Sequence, residues 1–146
     1  VLFATETGNA EDLAEQTRDK AQEIGYEIKL ANVADYEAGD LAREQRVAFI
    51  VSTWGDGDPP DEAVDFAEAV IEEEHDFSGV EYCVLALGDT SYEDFCGFGR
   101  KLDEAMAAHG ARRFLDRVEL DVDFEDGFAK WADALVERLN LLAKQG

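Results

Sequence analysis

Six consecutive residues, Thr5-Glu6-Thr7-Gly8-Asn9-Ala10, place two hydroxyls, a glycine and an amide where the apolar run Val1-Leu2-Phe3-Ala4 gives way to a helical pattern. A helix N-terminus presents free backbone N–H groups and the positive end of the helix dipole. A strand, a small polar turn and a helix start together therefore make an anion site, most often a phosphate site. Glycine lets the backbone come close to the anion, and the hydroxyls of Thr5 and Thr7 can add donors. The competing reading is a plain Thr or Asn cap. Two further polar loops each carry one aromatic ring: Ser52-Thr53-Trp54-Gly55-Asp56-Gly57-Asp58-Pro59-Pro60, and Gly88-Asp89-Thr90-Ser91-Tyr92. Either ring alone reads as a packed surface residue. Two of them flanking a phosphate site predict a planar ligand sandwiched between faces. Asp56, Asp58, Asp89, Asp94 and Asp121 surround that position, leave no cation to pair with an anionic ring, and so disfavour a negatively charged form of it.

The elements that position these loops alternate along the chain. Ala10 to Ile24 carries a helical stripe of Leu13, Ala14, Thr17, Ala21 and Ile24, with Glu11 and Asp12 suited to its first turn and Gly25 as its stop. Tyr26 to Leu30 alternates and predicts a second strand. Asn32 to Glu44 is a polar connection with a short helix. Val47 to Val51 and Val80 to Leu87 are continuous apolar runs, as in parallel strands buried on both faces. A helix is predicted from Asp61 to Glu74, with Val64, Phe66, Ala67, Val70 and Ile71 inward. Another spans Phe95 to His109. Arg113 to Leu120 reads as a fifth strand, and Phe124 to Leu142 as a last amphipathic helix with Phe128, Trp131, Leu135, Val136 and Leu139 inward. Five strands alternating with helices predict a three-layer α/β sandwich around a parallel sheet of order 2-1-3-4-5. Ligands of such sheets sit at the carboxyl ends of the strands where the order reverses. That places the loops after strands one, three and four together.

Composition bounds the rest. The 146 residues suit one domain, residues 1–146, with a full core. The chain starts within a strand, so a few residues are expected to precede it. No apolar run reaches the length of a membrane span, and no basic-then-apolar leader opens the sequence. With 35 acidic and 13 basic residues, the formal net charge is −22. Such a chain repels nucleic acid and anionic membranes and attracts partners with a basic face. Adaptation to high salt accounts for the same total. Cys83 and Cys96 are too few and too poorly spaced for a metal site, and a reduced, cytoplasmic setting is expected. Cys83 reads as a buried small hydrophobe, and His75 and His109 as surface residues without a role.

Several ligand classes fail on the motifs. No loop has the glycine-rich run ending in Lys-Ser or Lys-Thr of a triphosphate site, nor G-x-G-x-x-G after the first strand. A receiver domain needs acidic residues after strand one and an aspartate after strand three, where this chain has Thr5-Glu6-Thr7 and Ser52-Thr53-Trp54. The hydrolase elbow G-x-S-x-G is absent.

At its three loops the chain resembles the flavodoxin family, which comprises short FMN-binding electron carriers and the FMN modules of diflavin reductases. Thr5 to Ala10 resembles the phosphate loop. Ser52 to Pro60 resembles the second loop, closest to its form in sulfite reductase flavoproteins and nitric oxide synthase reductase modules, and Leu87-Gly88-Asp89-Thr90-Ser91-Tyr92-Glu93-Asp94-Phe95-Cys96 resembles the third loop, again near the sulfite reductase type. The resemblance implies that Thr5, Glu6, Thr7, Gly8, Asn9 and Ala10 hold the FMN phosphate, mainly by backbone N–H groups. It puts Ser52 and Thr53 under the ribityl chain or flavin, and Trp54 and Tyr92 over the two ring faces. Gly55, in the loop with Asp56 and Gly57, supplies a peptide able to turn its carbonyl toward flavin N5 once that nitrogen is protonated. Leu87 belongs to the third loop, in which Gly88, Asp89, Asp94, Phe95 and Cys96 line the pyrimidine side; Asp121 matches a carboxylate near the ring. Ala10 departs from the hydroxyl residue of many flavodoxins, and the fifth strand has no long insertion, as in the short-chain type. The implied function is single-electron transfer by a monomer between a flavin reductase and a haem or iron–sulfur acceptor. An FMN module of an NADPH-dependent diflavin reductase and a non-redox binding module are the alternatives; the chain length slightly favours the free carrier.

Overall fold

The computed structural model describes residues 1–5, 8–53, 57–89 and 96–145. In chain order the elements are β1 (Leu2–Ala4), α1 (Asn9–Glu23), β2 (Ala31–Asn32), 3-10 turns at Val33–Asp35 and Ala38–Arg43, and β3 (Arg46–Ser52). A 3-10 turn at Asp61–Ala63 then leads into α2 (Val64–Glu72), followed by β4 (Glu81–Leu87), α3 (Gly97–Ala108), β5 (Arg112–Arg113), β6 (Val118–Leu120) and α4 (Glu125–Gln145). The sheet is parallel, in the order β2-β1-β3-β4, with β5 and β6 both paired to the outer side of β4. This is the expected flavodoxin-like sheet of order 2-1-3-4-5, its fifth position filled by two short segments.

Alternation along the central strands divides the core. Leu2 and Ala4, Val47, Phe49 and Val51, and Tyr82, Val84 and Ala86 face one layer with α2 and α3. Phe3, Ile50, Cys83, Leu85 and Leu87 face the other, against α1 and α4. Both faces being covered, these strands need apolar residues at every step, which is why they read as unbroken runs. Leu13, Ala14, Thr17 and Ala21 of α1 are buried, and the Thr17 hydroxyl donates to the Leu13 carbonyl at 2.8 Å. Residues 101–108 of α3 and 128–139 of α4 cover the sheet with the same helical period.

Four expectations are corrected. The second strand lies at Ala31–Asn32 rather than Tyr26–Leu30. Leu2 pairs with Ala31 and Phe3 with Asn32 in parallel, and residues 26–30 form no strand. In α2 and the 3-10 turn before it the buried stripe is Ala63, Phe66, Ala67 and Val70, whereas Val64 and Ile71 are 37% and 40% exposed. The spacing explains this: 63, 66, 67 and 70 share one helical face and 64 and 71 stand beside it. His75 and His109 have a structural role. Nε2 of His75 donates to the Ala69 carbonyl at 2.7 Å, and Nε2 of His109 to that of Val70 at 2.6 Å, both in the last turn of α2.

The fifth strand, expected to run unbroken from Arg113 to Leu120, is interrupted, with segments at Arg112–Arg113 and Val118–Leu120. Tyr82 pairs with Arg113 and Leu85 with Val118, so the edge uses five steps where β4 uses three. The two extra residues form a bulge. Its cause is Asp103 on α3, which is fully buried. One carboxylate oxygen takes Nη2 of Arg113 at 2.7 Å and the other takes Nη1 of Arg117 at 2.6 Å. The Tyr82 hydroxyl also donates to Asp103, at 2.5 Å. Residues four apart on a straight strand stand about 13 Å apart; the bulge shortens that span and turns both guanidiniums to one carboxylate. Burial first, and the Asp103 hydrogen bond second, hold the Tyr82 phenol protonated well above the ordinary range.

Candidate functional site

The site is built at the carboxyl ends of β1, β3 and β4, around the start of α1. Gly8 precedes that helix with φ +92°, in the left-handed region that glycine enters freely. Nothing lies within 4 Å of where a Cβ on Gly8 would stand. The glycine therefore serves backbone direction, not close packing. Gly8 N–H donates to the Thr5 hydroxyl at 2.8 Å, which tightens the turn. Among the described residues no side chain caps α1. Asn9 is exposed, and the Ala10 methyl is buried in the core, so Ala10 can offer only its backbone. Among the described residues the start of α1 thus shows amides without a side-chain acceptor, a donor set that would suit a phosphate. Glu6 and Thr7 lie outside the described residues.

The other two loops are tied to each other across the strand ends. Thr53 N–H donates to the Leu87 carbonyl at 2.9 Å, and Gly88 N–H to the Leu120 carbonyl at 2.9 Å. The Thr53 hydroxyl accepts from Phe98 N–H at 3.3 Å, so the second loop is held to the first turn of α3. Ser52 is buried, and Leu87 packs its side chain into the core. Gly88 has a steric reason: a Cβ there would meet Cys96 N and Sγ, each at 2.9 Å. Cys96 has φ +55°, a left-handed conformation costly for a residue with a side chain. Its thiol faces inward, with Sγ donating to the Ala86 carbonyl at 3.5 Å. Burial, with Glu119 adding to it, pushes that thiol up to about 12. Gly57 is buried with φ +97°. Asp89 and Asp121 are half-buried beside these ends, and Asp121 accepts from Val122 N–H at 2.8 Å. Trp54, Gly55, Asp56, Tyr92, Asp94 and Phe95 lie outside the described residues.

The structure therefore gathers Thr5, Gly8, Asn9, Ala10, Ser52, Thr53, Leu87, Gly88, Cys96 and Asp121 onto one end of the sheet. It adds two groups that the sequence did not single out. Lys101 reaches the Gly57 carbonyl with Nζ at 3.4 Å, a cation beside a loop expected to have none. The Leu120 carbonyl anchors Gly88. Both arise from tertiary placement, and their positions in a helix and a strand carried no motif. Among the described residues no group of His, Cys, Asp and Glu could hold a metal ion, and no helix is long and apolar enough to cross a membrane.

A doubly wound α/β domain with an open helix start at the reversal of its strand order defines a nucleotide-binding class of protein. The flavodoxin family model matches residues 1–131, and the chain belongs to that family. It is a flavodoxin-type, FMN-binding electron-transfer domain. The sulfite reductase NADPH flavoprotein alpha-component of Klebsiella pneumoniae subsp. pneumoniae is 38% identical over 144 residues, 98% of this chain but 24% of that protein. This chain thus spans about a quarter of the length of the curated relatives it matches. Among solved structures, a flavodoxin from Streptococcus pneumoniae TIGR4 superposes with a TM-score of 0.83 at 28% identity, covering 96% of this chain and 95% of that one. Oxidised flavodoxin 1 from Bacillus cereus gives 0.81 at 25% identity, covering 94% and 92%.

Proposed function

We propose that this chain holds FMN at the carboxyl ends of β1, β3 and β4 and passes single electrons between a reductase and an acceptor protein. The observation that carries this reading is the N-terminus of α1, which no side chain caps among the described residues and which follows a left-handed glycine. Amides of Asn9 and Ala10 take the phosphate there, with Thr5, Glu6, Thr7 and Gly8 shaping the turn. Ser52 and Thr53 lie beneath the ribityl chain. Trp54 and Tyr92 cover the ring faces. Gly55, Asp56 and Gly57 border one edge of the ring, and Leu87, Gly88, Asp89, Asp94, Phe95, Cys96 and Asp121 border the pyrimidine side. When bound, FMN supplies one-electron redox chemistry, and the protein supplies binding, orientation and electrostatics. The surplus of 35 acidic over 13 basic residues favours basic-faced redox partners, docking at rates that fall as salt rises.

Anaerobic dithionite titration of the FMN-loaded chain tests the reading. Two separate one-electron steps in the visible spectrum are expected, with FMN bound far more tightly than riboflavin, which lacks the phosphate. A chain that takes up neither flavin overturns it.

One observation favours a second reading, in which the chain acts as the FMN module of a larger NADPH-dependent reductase. The match to sulfite reductase flavoproteins covers nearly all of this chain and only a quarter of theirs. A reading frame that continues into FAD- and NADPH-binding segments decides for the module; a frame that encodes this domain alone decides for the free carrier.

A further inference from the structure

The outer edge of the sheet carries a cavity of about 670 Å³ well away from the flavin loops, between the bulge of the fifth strand and α4. Its volume falls within the range of small-molecule sites, which are mostly apolar with a few placed polar groups. Phe114, Leu115 and Val118 form one wall, Trp131 and Leu142 part of the other. The bulge borders this space: Asp103 holds Arg113 and Arg117, and Phe114 and Leu115 between them pack toward the core layer of α1 and α4 at the cavity wall.

The charge of the cavity runs against that of the chain. Arg113, Lys130 and Arg138 line it with Glu81 and Asp116, in a protein of formal net charge −22. Glu81 is paired with Arg46 at 3.4 Å, and Arg113 with Asp103. Among the described residues, Lys130 and Arg138 form no ion pair or side-chain hydrogen bond. They stand on one face of α4, about 12 Å apart along its axis. In a chain so poor in cations, two unpaired ones over an apolar floor are the complement of a ligand with an apolar body and an anionic head.

We propose that this cavity binds an amphipathic monoanion, its apolar body against Phe114, Leu115 and Trp131 and its carboxylate or sulfonate between Lys130 and Arg138. None of these residues belongs to the flavin site, so the two assignments stand or fall separately. Charge-assisted hydrogen bonds to two cations fix the head, and apolar contact supplies the rest.

The test is titration of the FMN-loaded protein with dodecanoate and with 8-anilinonaphthalene-1-sulfonate, followed by amide chemical shifts. Ionic strength near 0.15 M confines charge effects to about 8 Å, so the local pair outweighs the distant field of the chain. Saturable shifts confined to residues 113–118 and 130–142 are expected, with residues 8–10 unmoved. The double variant K130Q/R138Q, altered only at exposed positions, is expected to weaken both ligands at least about tenfold and to leave the protein folded. Dodecanol is expected to bind the native protein more weakly than dodecanoate. Unsaturable or scattered shifts overturn the site. Equal binding by K130Q/R138Q, or by dodecanol, overturns the anion selectivity.

Discussion

The N-terminus of α1 and the C-terminus of α2 have the same electrostatic problem and meet it in opposite ways. Each helix end leaves backbone groups without partners and concentrates half of a dipole. At α2 two imidazoles donate to the Ala69 and Val70 carbonyls; the rings meet edge to face at 5.2 Å, and His75 stacks on Phe77 at 4.8 Å. At α1 no described side chain takes the free amides, and the residue before them is a glycine. Closed polar groups hold the fold together; open ones leave room for a ligand. The Asp103 cluster belongs to the closed kind, with every oxygen of a buried carboxylate engaged by Tyr82, Arg113 or Arg117. Changes in closed regions are therefore expected to lower stability and spare FMN binding, and changes at the open end to do the reverse in proportion.

The largest effect is expected at Asp103. Asp103→Asn removes the carboxylate that Arg113 and Arg117 share; Arg117 keeps Glu119 at 3.1 Å and Arg113 is 40% exposed, so the cost falls at the low end for breaking a buried ion pair, about 3 kcal/mol. Urea denaturation monitored by far-ultraviolet circular dichroism measures it. FMN affinity of the folded fraction stays at the native value; a variant that keeps its stability and loses FMN breaks the comparison. Next is the response to alkali. Burial pushes the Cys83 thiol up to about 12, whereas in the unfolded chain it ionises near about 8.5. Its contribution is complete below that lower value. It is lost as pH rises toward the folded one, at about 1.4 kcal/mol per pH unit. By pH 10 the loss is about 2 kcal/mol. Cys83→Ala flattens the dependence of unfolding free energy on pH above 9, and an unchanged slope removes the thiol from the account. At the open end, Gly8→Ala forces a side chain into φ +92° and costs about 1–2 kcal/mol. Its effect on FMN affinity exceeds its effect on stability, as fluorescence quenching of added FMN tests; an equal or smaller loss of affinity places the phosphate elsewhere.

The same contrast decides what could be read in advance. The open end is written in consecutive residues: a glycine at position 8 and the start of α1 at Asn9 follow from local pattern alone, so the expectation of an anion site could be framed from neighbouring residues. The unbroken runs at 47–51 and 80–87 marked the central parallel strands, because burial on both faces shows at every residue, and the alternation of five strands with helices pointed to the sheet order. Closed groups are long-range. Nothing near Arg113 or Arg117 announces that both answer to Asp103 across the sheet, so the fifth strand read as continuous. His109 donates to a carbonyl 39 residues earlier, and its neighbours Ala108 and Gly110 say only that a helix ends there. Val64 and Ile71 misled for a related reason: apolarity was counted, but the face that packs is chosen by α3 and β3.

The smallest expected effect is the sharpest test of the closed kind. His109→Phe keeps an aromatic ring beside His75 and Phe77 and removes the donor to the buried Val70, so the carbonyl at the end of α2 is left without its side-chain partner. One such hydrogen bond is worth about 1 kcal/mol. His109→Gln retains a donor on a shorter reach and is expected to recover part of the loss. Packing alone predicts the opposite ranking, because phenylalanine fills the ring position better than glutamine does. Thermal unfolding of both variants at one pH separates the accounts. If His109→Phe melts at or above the native temperature, the imidazole is a packed ring and the end of α2 is not closed by hydrogen bonding. If His109→Gln lies between native and His109→Phe, with FMN affinity the same in all three, the two helix ends differ as the structure describes.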